Sequence, residues 1–205
     1  MIAVLDYGIG NLRSAEKALQ HLGADAALVD DPDRAAAADG VVLPGVGAFG
    51  RCAEALRSSG LEEAARAAVD RGVPFLGICV GFQLLYEGSD EDPSQPGLGV
   101  LPGVVLRLAD GVKHPQMQWN VLAETAGRAP GLLAGTPHPA WVYFVHSFAP
   151  EVTADTSSTC DYGGPVTASA EKGPVWGTQF HPEKSGSVGL GILANFVRAV
   201  DASAA

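Results

Sequence analysis

Positive charge is scarce in this sequence. Lysine and arginine number 13 against 23 aspartates and glutamates, which leaves a formal charge of −10. No basic cluster offers the electrostatic footprint that a phosphate backbone requires, so nucleic-acid binding is not expected. Cysteine is equally sparse. Cys52, Cys79 and Cys160 form an odd set with no CxxC pair and no nearby ligand histidines, which argues against both a disulfide framework and a zinc site and fits a reducing cytoplasm. Long apolar runs are missing too. The longest, near Ala140 to Val145, falls far short of the roughly 18 to 20 residues that cross a bilayer. Met1 to Leu5 runs straight into Asp6, without the basic n-region and apolar stretch of a signal peptide. A soluble, cytoplasmic protein with no membrane association is expected.

What is present suits one globular domain. The 205 residues are 47% hydrophobic, enough to build a sizeable core over residues 1–205. The first half alternates short apolar runs with helical periods, the mark of βα units and a mostly parallel sheet. Strands are read at Ile2–Leu5, Ala26–Val29, Val41–Leu43 and Val73–Ile78. Leu12, Ala15, Leu19 and Leu22 recur at helical spacing, as do residues from Leu61 to Val69, with Gly72 as a stop. After a turn-rich acidic loop from Gly88 to Gly97, shorter strands are read at Val104–Leu108, Trp119–Leu122, Val142–Val145, Val166–Ala170 and Val175–Gln179. Turns at Asp110-Gly111 and Glu171-Lys172-Gly173 predict antiparallel hairpins on or beside the main sheet. Val188, Ile192, Leu193, Phe196 and Val197 predict a closing amphipathic helix.

One of the three cysteines has a special frame. Gly77-Ile78-Cys79-Val80-Gly81 follows an apolar strand and opens a helical pattern, the order of a nucleophile elbow, in which flanking glycines relieve the steric conflict of a sharp turn. Cys79 is thereby predicted at the carboxyl end of the sheet, with a helix N-terminus that favours its thiolate. A buried cysteine of purely structural role is the alternative, and it is the expected state of Cys52 and Cys160, which lack such a frame.

A nucleophilic thiol needs a base, and the base an orienter. In Gln179-Phe180-His181-Pro182-Glu183-Lys184, the HxE spacing puts His181 and Glu183 on the same side of an extended segment, with Pro182 stiffening the turn. His181 is the expected general base and Glu183 its orienter. His21 ends the first helix, His114 and His138 precede prolines in loops and read as surface residues, and His146 reads as a pocket wall. Gly45-Val46-Gly47-Ala48-Phe49-Gly50 matches GxGxxG literally. It follows the third strand rather than the first, with no acidic residue ending the next strand, which disfavours a dinucleotide site. The loop instead bares the amides of Gly45, Val46 and Gly47 beside Cys79, where with the Val80 amide they can stabilise an oxyanion.

Together PGVG, GICVGFQ and HPEKS, in that order, resemble the class I (triad) glutamine amidotransferases over essentially the whole chain. The resemblance implies a flavodoxin-like, three-layer α/β fold: a mixed, mostly parallel sheet flanked by helices, with added antiparallel strands. It implies glutamine hydrolysis to glutamate and ammonia by a Cys79-His181-Glu183 triad, with Gln83 holding the substrate and Gly47 and Val80 at the oxyanion. Neither metal nor cofactor is implied. Asp6 to Leu12, Trp119-Asn120, Tyr143 to Ser147 and Lys184-Ser185 look like the glutaminase subunits of imidazole glycerol phosphate synthases. That narrower likeness implies a heterodimer with a (β/α)8-barrel cyclase of histidine biosynthesis. It places Asn11, Trp119 and Lys184 at the interface, His146, Ser147 and Phe148 with Gln83 at L-glutamine, and makes activity weak until the partner binds its ligand. Where the family usually has His-Met-Gly-Trp-Asn, this chain has Gln116-Met117-Gln118-Trp119-Asn120, and Phe148 replaces a common tyrosine. An anthranilate synthase subunit, a γ-glutamyl hydrolase and a flavodoxin-like module with a redox-sensing cysteine are the competing readings.

Overall fold

Apolar β-branched runs separated by amphipathic helices should wind a parallel sheet, and the computed structural model, which describes residues 1–125 and 131–204, contains one. In the first half the strands β1 (Ile2–Leu5), β2 (Ala26–Val29), β3 (Gly40–Gly45) and β4 (Phe75–Cys79) alternate with the helices α1 (Leu12–His21), α2 (Pro32–Ala36), α3 (Phe49–Ser58) and α4 (Leu61–Asp70). A single turn, α5 (Val80–Gln83), follows β4. The second half holds β5 (Gly88–Ser89), β6 (Val104–Arg107), β7 (Gln116–Val121), β8 (Ala123–Glu124), β9 (Trp141–His146) and β10 (Phe148–Pro150). It continues with β11 (Thr156–Asp161), β12 (Pro165–Lys172) and β13 (Val175–Thr178), then a 3-10 turn (Pro182–Lys184) and α6 (Gly186–Ser203).

The main sheet runs β2-β1-β3-β4-β13-β12-β11-β8. Its first five strands are parallel and the last three antiparallel. Parallel crossovers are right-handed. The step from β1 to β2 runs one way along the sheet and the steps to β3 and β4 the other, so α1 covers one face and α2, α3 and α4 cover the opposite face. The helix contacts agree: α6 packs beside α1, and α4 packs against α2 and α3. Both faces of β4 are therefore covered, which is why Phe75, Leu76 and Ile78 are at most 2% exposed.

Two expectations needed correction. The Asp110-Gly111 turn does not close a hairpin, because β6 pairs with β10 and β5 while β7 pairs with β9. β10 partners β6 and β9 partners β7, burying Val142, Phe144 and Ala149, and that burial outweighs a local turn preference. The helix after Cys79 is also far shorter than its apolar pattern suggests. The carbonyls of Leu84, Leu85 and Tyr86 accept bonds from Leu98, Val100, Leu101 and Gly99, so the returning loop takes the acceptors a longer helix would need. With one turn only, the helix dipole at Cys79 is correspondingly small. The Glu171 to Gly173 hairpin forms as expected between β12 and β13.

Candidate active site

Cys79 ends β4 with φ 56° and ψ −113°, the only positive φ at a non-glycine among the described residues. Such a backbone stores on the order of 1 to 3 kcal/mol of strain and persists only where the surroundings over-determine it. Here the glycines do so by close approach. A Cβ at Gly81 would overlap the Leu43 carbonyl, and one at Gly77 would sit 2.7 Å from Phe82 Cα. The elbow read from the sequence is present, and its glycines are steric necessities.

His181 follows β13, the strand paired with β4. Its Nδ1 lies 2.8 Å from Glu183 Oε1, and both side chains are 2% exposed. They meet across the 3-10 turn at Pro182–Lys184, not along an extended segment as the HxE spacing suggested. Burial disfavours a charged imidazole, but the neighbouring Cys79 sulfur and the Glu183 carboxylate outweigh it and raise His181 to about 10, while the Nε2 on its cleft side makes no hydrogen bond among the described residues. Ser185, beyond the motif's catalytic letters, braces this turn: its Oγ donates to the His181 carbonyl at 2.6 Å and accepts from Tyr143 N at 3.0 Å.

A second chain of bonds reaches Cys79 from the other side. Gln83 Nε2 donates to the Phe148 carbonyl at 2.9 Å and to Gln179 Oε1 at 3.0 Å. The Phe148 oxygen can only accept, so the atom facing it is the Gln83 nitrogen, and this in turn fixes which end of Gln179 faces Gln83. The Gln179 nitrogen is thereby directed at Cys79 Sγ, 3.8 Å away. His146 Nδ1 lies 2.8 Å from the same Phe148 oxygen, which makes Nδ1 the protonated nitrogen. Burial lowers His146 to about 4, assisted by His181 and opposed by the Phe148 bond. It is neutral at pH 7, with an unpartnered Nε2.

A cleft of about 290 Å³ opens over these groups, lined by Val46, Gly47, Cys79, Val80, Gln83, Glu91, Pro115, His181 and the run from Val145 to Phe148. Every residue expected to bind substrate therefore shares one wall system with the nucleophile. Gly45 does not line it: with Asn11, Pro44 and Ile78 it borders a tight crevice behind His181 and Glu183. Roomier grooves beside Arg66 and Lys172, or between Leu106 and Val166, hold neither cysteine nor histidine. Glu91 was missed by sequence reasoning. Its Oε2 accepts from Phe49 N at 2.8 Å, at the start of α3, and its only sequence signal is a place in an acidic loop. Gln179 was missed as well, although the TQFHPE run contains it.

Of the remaining candidates, Asn11 occupies the cap position of α1 but makes no backbone cap bond, its Oδ1 accepting instead from Ser14 Oγ at 2.8 Å. Lys184 is exposed. Trp119 is 48% exposed, edge-on to Tyr143, and shares the outer face of the β7-β9 sheet with Met117 and Trp141. Cys52 and Cys160 are free and buried. His21 and His138 lie at the surface, whereas His114 is half-buried, with Nε2 3.2 Å from the Ala109 carbonyl.

The profile of the class-I glutamine amidotransferases matches residues 3–200. Imidazole glycerol phosphate synthase subunit HisH of Synechococcus sp. (strain JA-3-3Ab) is 48% identical, over 97% of this chain and 94% of that protein. The subunit of the same name from Symbiobacterium thermophilum is 46% identical over the same shares. A glutamine amidotransferase crystal structure superposes with a TM-score of 0.77 over 98% of both chains at 22% identity, a likeness of fold.

Proposed function

Since the chain belongs to the class-I glutamine amidotransferase family, we propose that it is the glutaminase subunit of an imidazole glycerol phosphate synthase, with residues 1–205 acting as one amidotransferase domain. It hydrolyses L-glutamine to glutamate and ammonia. The observation that carries the reading is His181 lining the same cleft as Cys79, with its Nδ1 held by the Glu183 carboxylate at 2.8 Å.

The chemistry follows from that placement. Cys79 Sγ attacks the side-chain carbonyl carbon of glutamine, and the carbonyl oxygen becomes an oxyanion facing the amides of Gly47 and Val80, with Val46 and Gly45 shaping the loop. Each such donor is worth about 3 kcal/mol in the transition state. His181, protonated, gives its proton to the departing nitrogen as the C–N bond breaks, leaving ammonia and a glutamyl thioester. Neutral His181 then takes a proton from water, whose oxygen attacks the thioester; the C–S bond breaks and glutamate leaves. Glu183 holds the imidazole in the right tautomer throughout. Gln179 directs its amide at the sulfur and holds it in place for attack. Gln83, Ser147, Phe148 and neutral His146 position the substrate, and the Glu91 carboxylate pairs with its ammonium group.

The ammonia serves a cyclase partner, a (β/α)8 barrel, that makes imidazole glycerol phosphate and AICAR in histidine biosynthesis; the lyase step belongs to the complex. Half-exposed Trp119 and Trp141 with exposed Met117 supply the aromatic and methionine surface that interface cores favour. Asn11, beside the crevice behind the triad, and exposed Lys184 extend it. No helix among the described residues is long and apolar enough to cross a membrane, and the reaction is assigned to the cytoplasm. The deciding experiment measures glutamate release with and without the cyclase and its ligand. Stimulation by the complex is expected, and loss of turnover in Cys79→Ala. Brisk cleavage of γ-glutamyl peptides by the chain alone would instead identify a γ-glutamyl hydrolase.

A further inference from the structure

Two side chains outside the triad hold the carbonyls of the glycine-rich loop from behind. Tyr7, just past β1, is 6% exposed and donates its hydroxyl hydrogen to the Pro44 carbonyl at 2.6 Å. Cys52, in the first turn of α3 and fully buried, donates its S–H to the Val46 carbonyl at 3.3 Å. The two side chains are neighbours, close enough for each to affect the other's ionisation. Neither lines the cleft, whereas Val46 and Gly47 do.

A trans peptide is planar, with the C=O of one residue and the N–H of the next on opposite edges. A Val46 carbonyl anchored toward α3 therefore turns the Gly47 N–H away from α3 and into the cleft beside Cys79. Gly47 has φ 89°, a conformation that glycine adopts freely and that lets the chain turn at this point. Neither the Val46 nor the Gly47 amide donates to a backbone carbonyl among the described residues. No other hydrogen bond among the described residues holds this peptide, so its orientation depends on the carbonyl anchored by Cys52, with Tyr7 fixing the peptide two links earlier.

We propose that Cys52 and Tyr7 are positioning residues for glutamine hydrolysis, fixing the loop so that the Gly47 N–H meets the oxyanion. The inference rests on the glutaminase reading above. Burial pushes the Cys52 thiol up, and burial with the neighbouring Cys52 and Cys79 raises Tyr7 well above the usual range for a phenol. Each keeps the proton it donates at neutral pH. A cysteine that merely filled space would leave the rate indifferent to whether a donor stands at its position.

The test compares wild type, Cys52→Ala, Cys52→Ser and Tyr7→Phe in the complex with the cyclase and its ligand. It measures kcat and KM for glutamine, and inhibition by two probes. Glutamate γ-semialdehyde adds to Cys79 and forms a tetrahedral oxyanion; L-glutamate binds without one. Loss of one neutral hydrogen bond predicts that Cys52→Ala and Tyr7→Phe each lower kcat by about five-fold and weaken the aldehyde by the same factor. KM and glutamate inhibition should stay within about two-fold, and Cys52→Ser should recover most of the lost rate. Unchanged kcat and aldehyde inhibition in Cys52→Ala, or a serine variant as slow as the alanine, would overturn the proposal. If Cys52→Ala does not fold, Tyr7→Phe decides the matter on the same readouts. A wild-type complex unable to hydrolyse glutamine would instead overturn the glutaminase reading, and this inference with it.

Discussion

Replacing Glu183 by glutamine tests the triad with almost no change of shape. The wild-type carboxylate is 2.8 Å from His181 Nδ1, and both side chains are 2% exposed, so solvent screens their attraction little. Hydrogen bonds to charged groups contribute about 1.5 to 3 kcal/mol. If that interaction is fully expressed when His181 carries a proton in the transition state, its loss slows turnover by roughly 10- to 150-fold. Glutamine at this position can also present its NH₂ to Nδ1, favouring the wrong tautomer and pushing the loss further. The assay is steady-state glutamate release by the assembled complex, with alkylation of Cys79 by a glutamine-analogue electrophile run in parallel and thermal unfolding as a control. His181 should also fall from its raised value near 10, moving the basic side of the pH profile to lower pH. A variant of wild-type stability that retains kcat within about three-fold would refute the assignment of Glu183 as orienter.

Gly81→Ala should cost several kcal/mol or prevent folding, because its Cβ would overlap the Leu43 carbonyl; denaturant titration at fixed pH measures it. Removing the amide that faces the nucleophile in Gln179→Leu should lower kcat by about ten-fold, since a thiolate loses a charge-assisted bond, and a normal rate would show that Gln179 is only a packing group. For Lys184→Ala, partner binding or ammonia transfer should suffer while Cys79 is still alkylated; loss of alkylation would contradict an interface role. His146 gives a pH effect of definite sign. Its value is depressed to about 4 from 6.5, so between those pH values the unfolded chain binds a proton that the folded chain does not. Stability therefore rises with pH across that window, by up to about 3 kcal/mol. Urea unfolding at pH 7 and pH 5 should show a larger difference for wild type than for His146→Gln.

The sequence was most legible where a single period or spacing determines the structure. Ile2–Leu5 and Ala26–Val29 were read to the residue, because an apolar run between helical periods has few other uses. β11 was not read at all. Thr156–Asp161 looks like turn chemistry, yet it is a largely buried strand in which Ser157 and Ser158 both share hydrogen bonds with Ser169, at 2.7 and 2.6 Å. Hydroxyls that satisfy one another across strands leave no hydrophobic alternation to detect. α3 was hidden in a similar way, behind a glycine-rich motif that reads as loop. At the site, Cys79, His181 and Glu183 were legible because elbow sterics and an HxE turn impose spacing. Gln179 and Glu91 were not, because their roles depend on neighbours far along the chain: Gln83 in one case, the first turn of α3 in the other.

The outer face of the β7-β9 sheet carries a practical consequence. Of the three tryptophans in the chain, Trp119 and Trp141 stand about half in water there, while Trp176 is partly buried elsewhere, edge-on to Phe196. Intrinsic emission from the free chain is thus weighted toward the surface proposed to receive the cyclase. Docking that removes both indoles from water should shift that emission to shorter wavelength, giving a label-free signal for assembly.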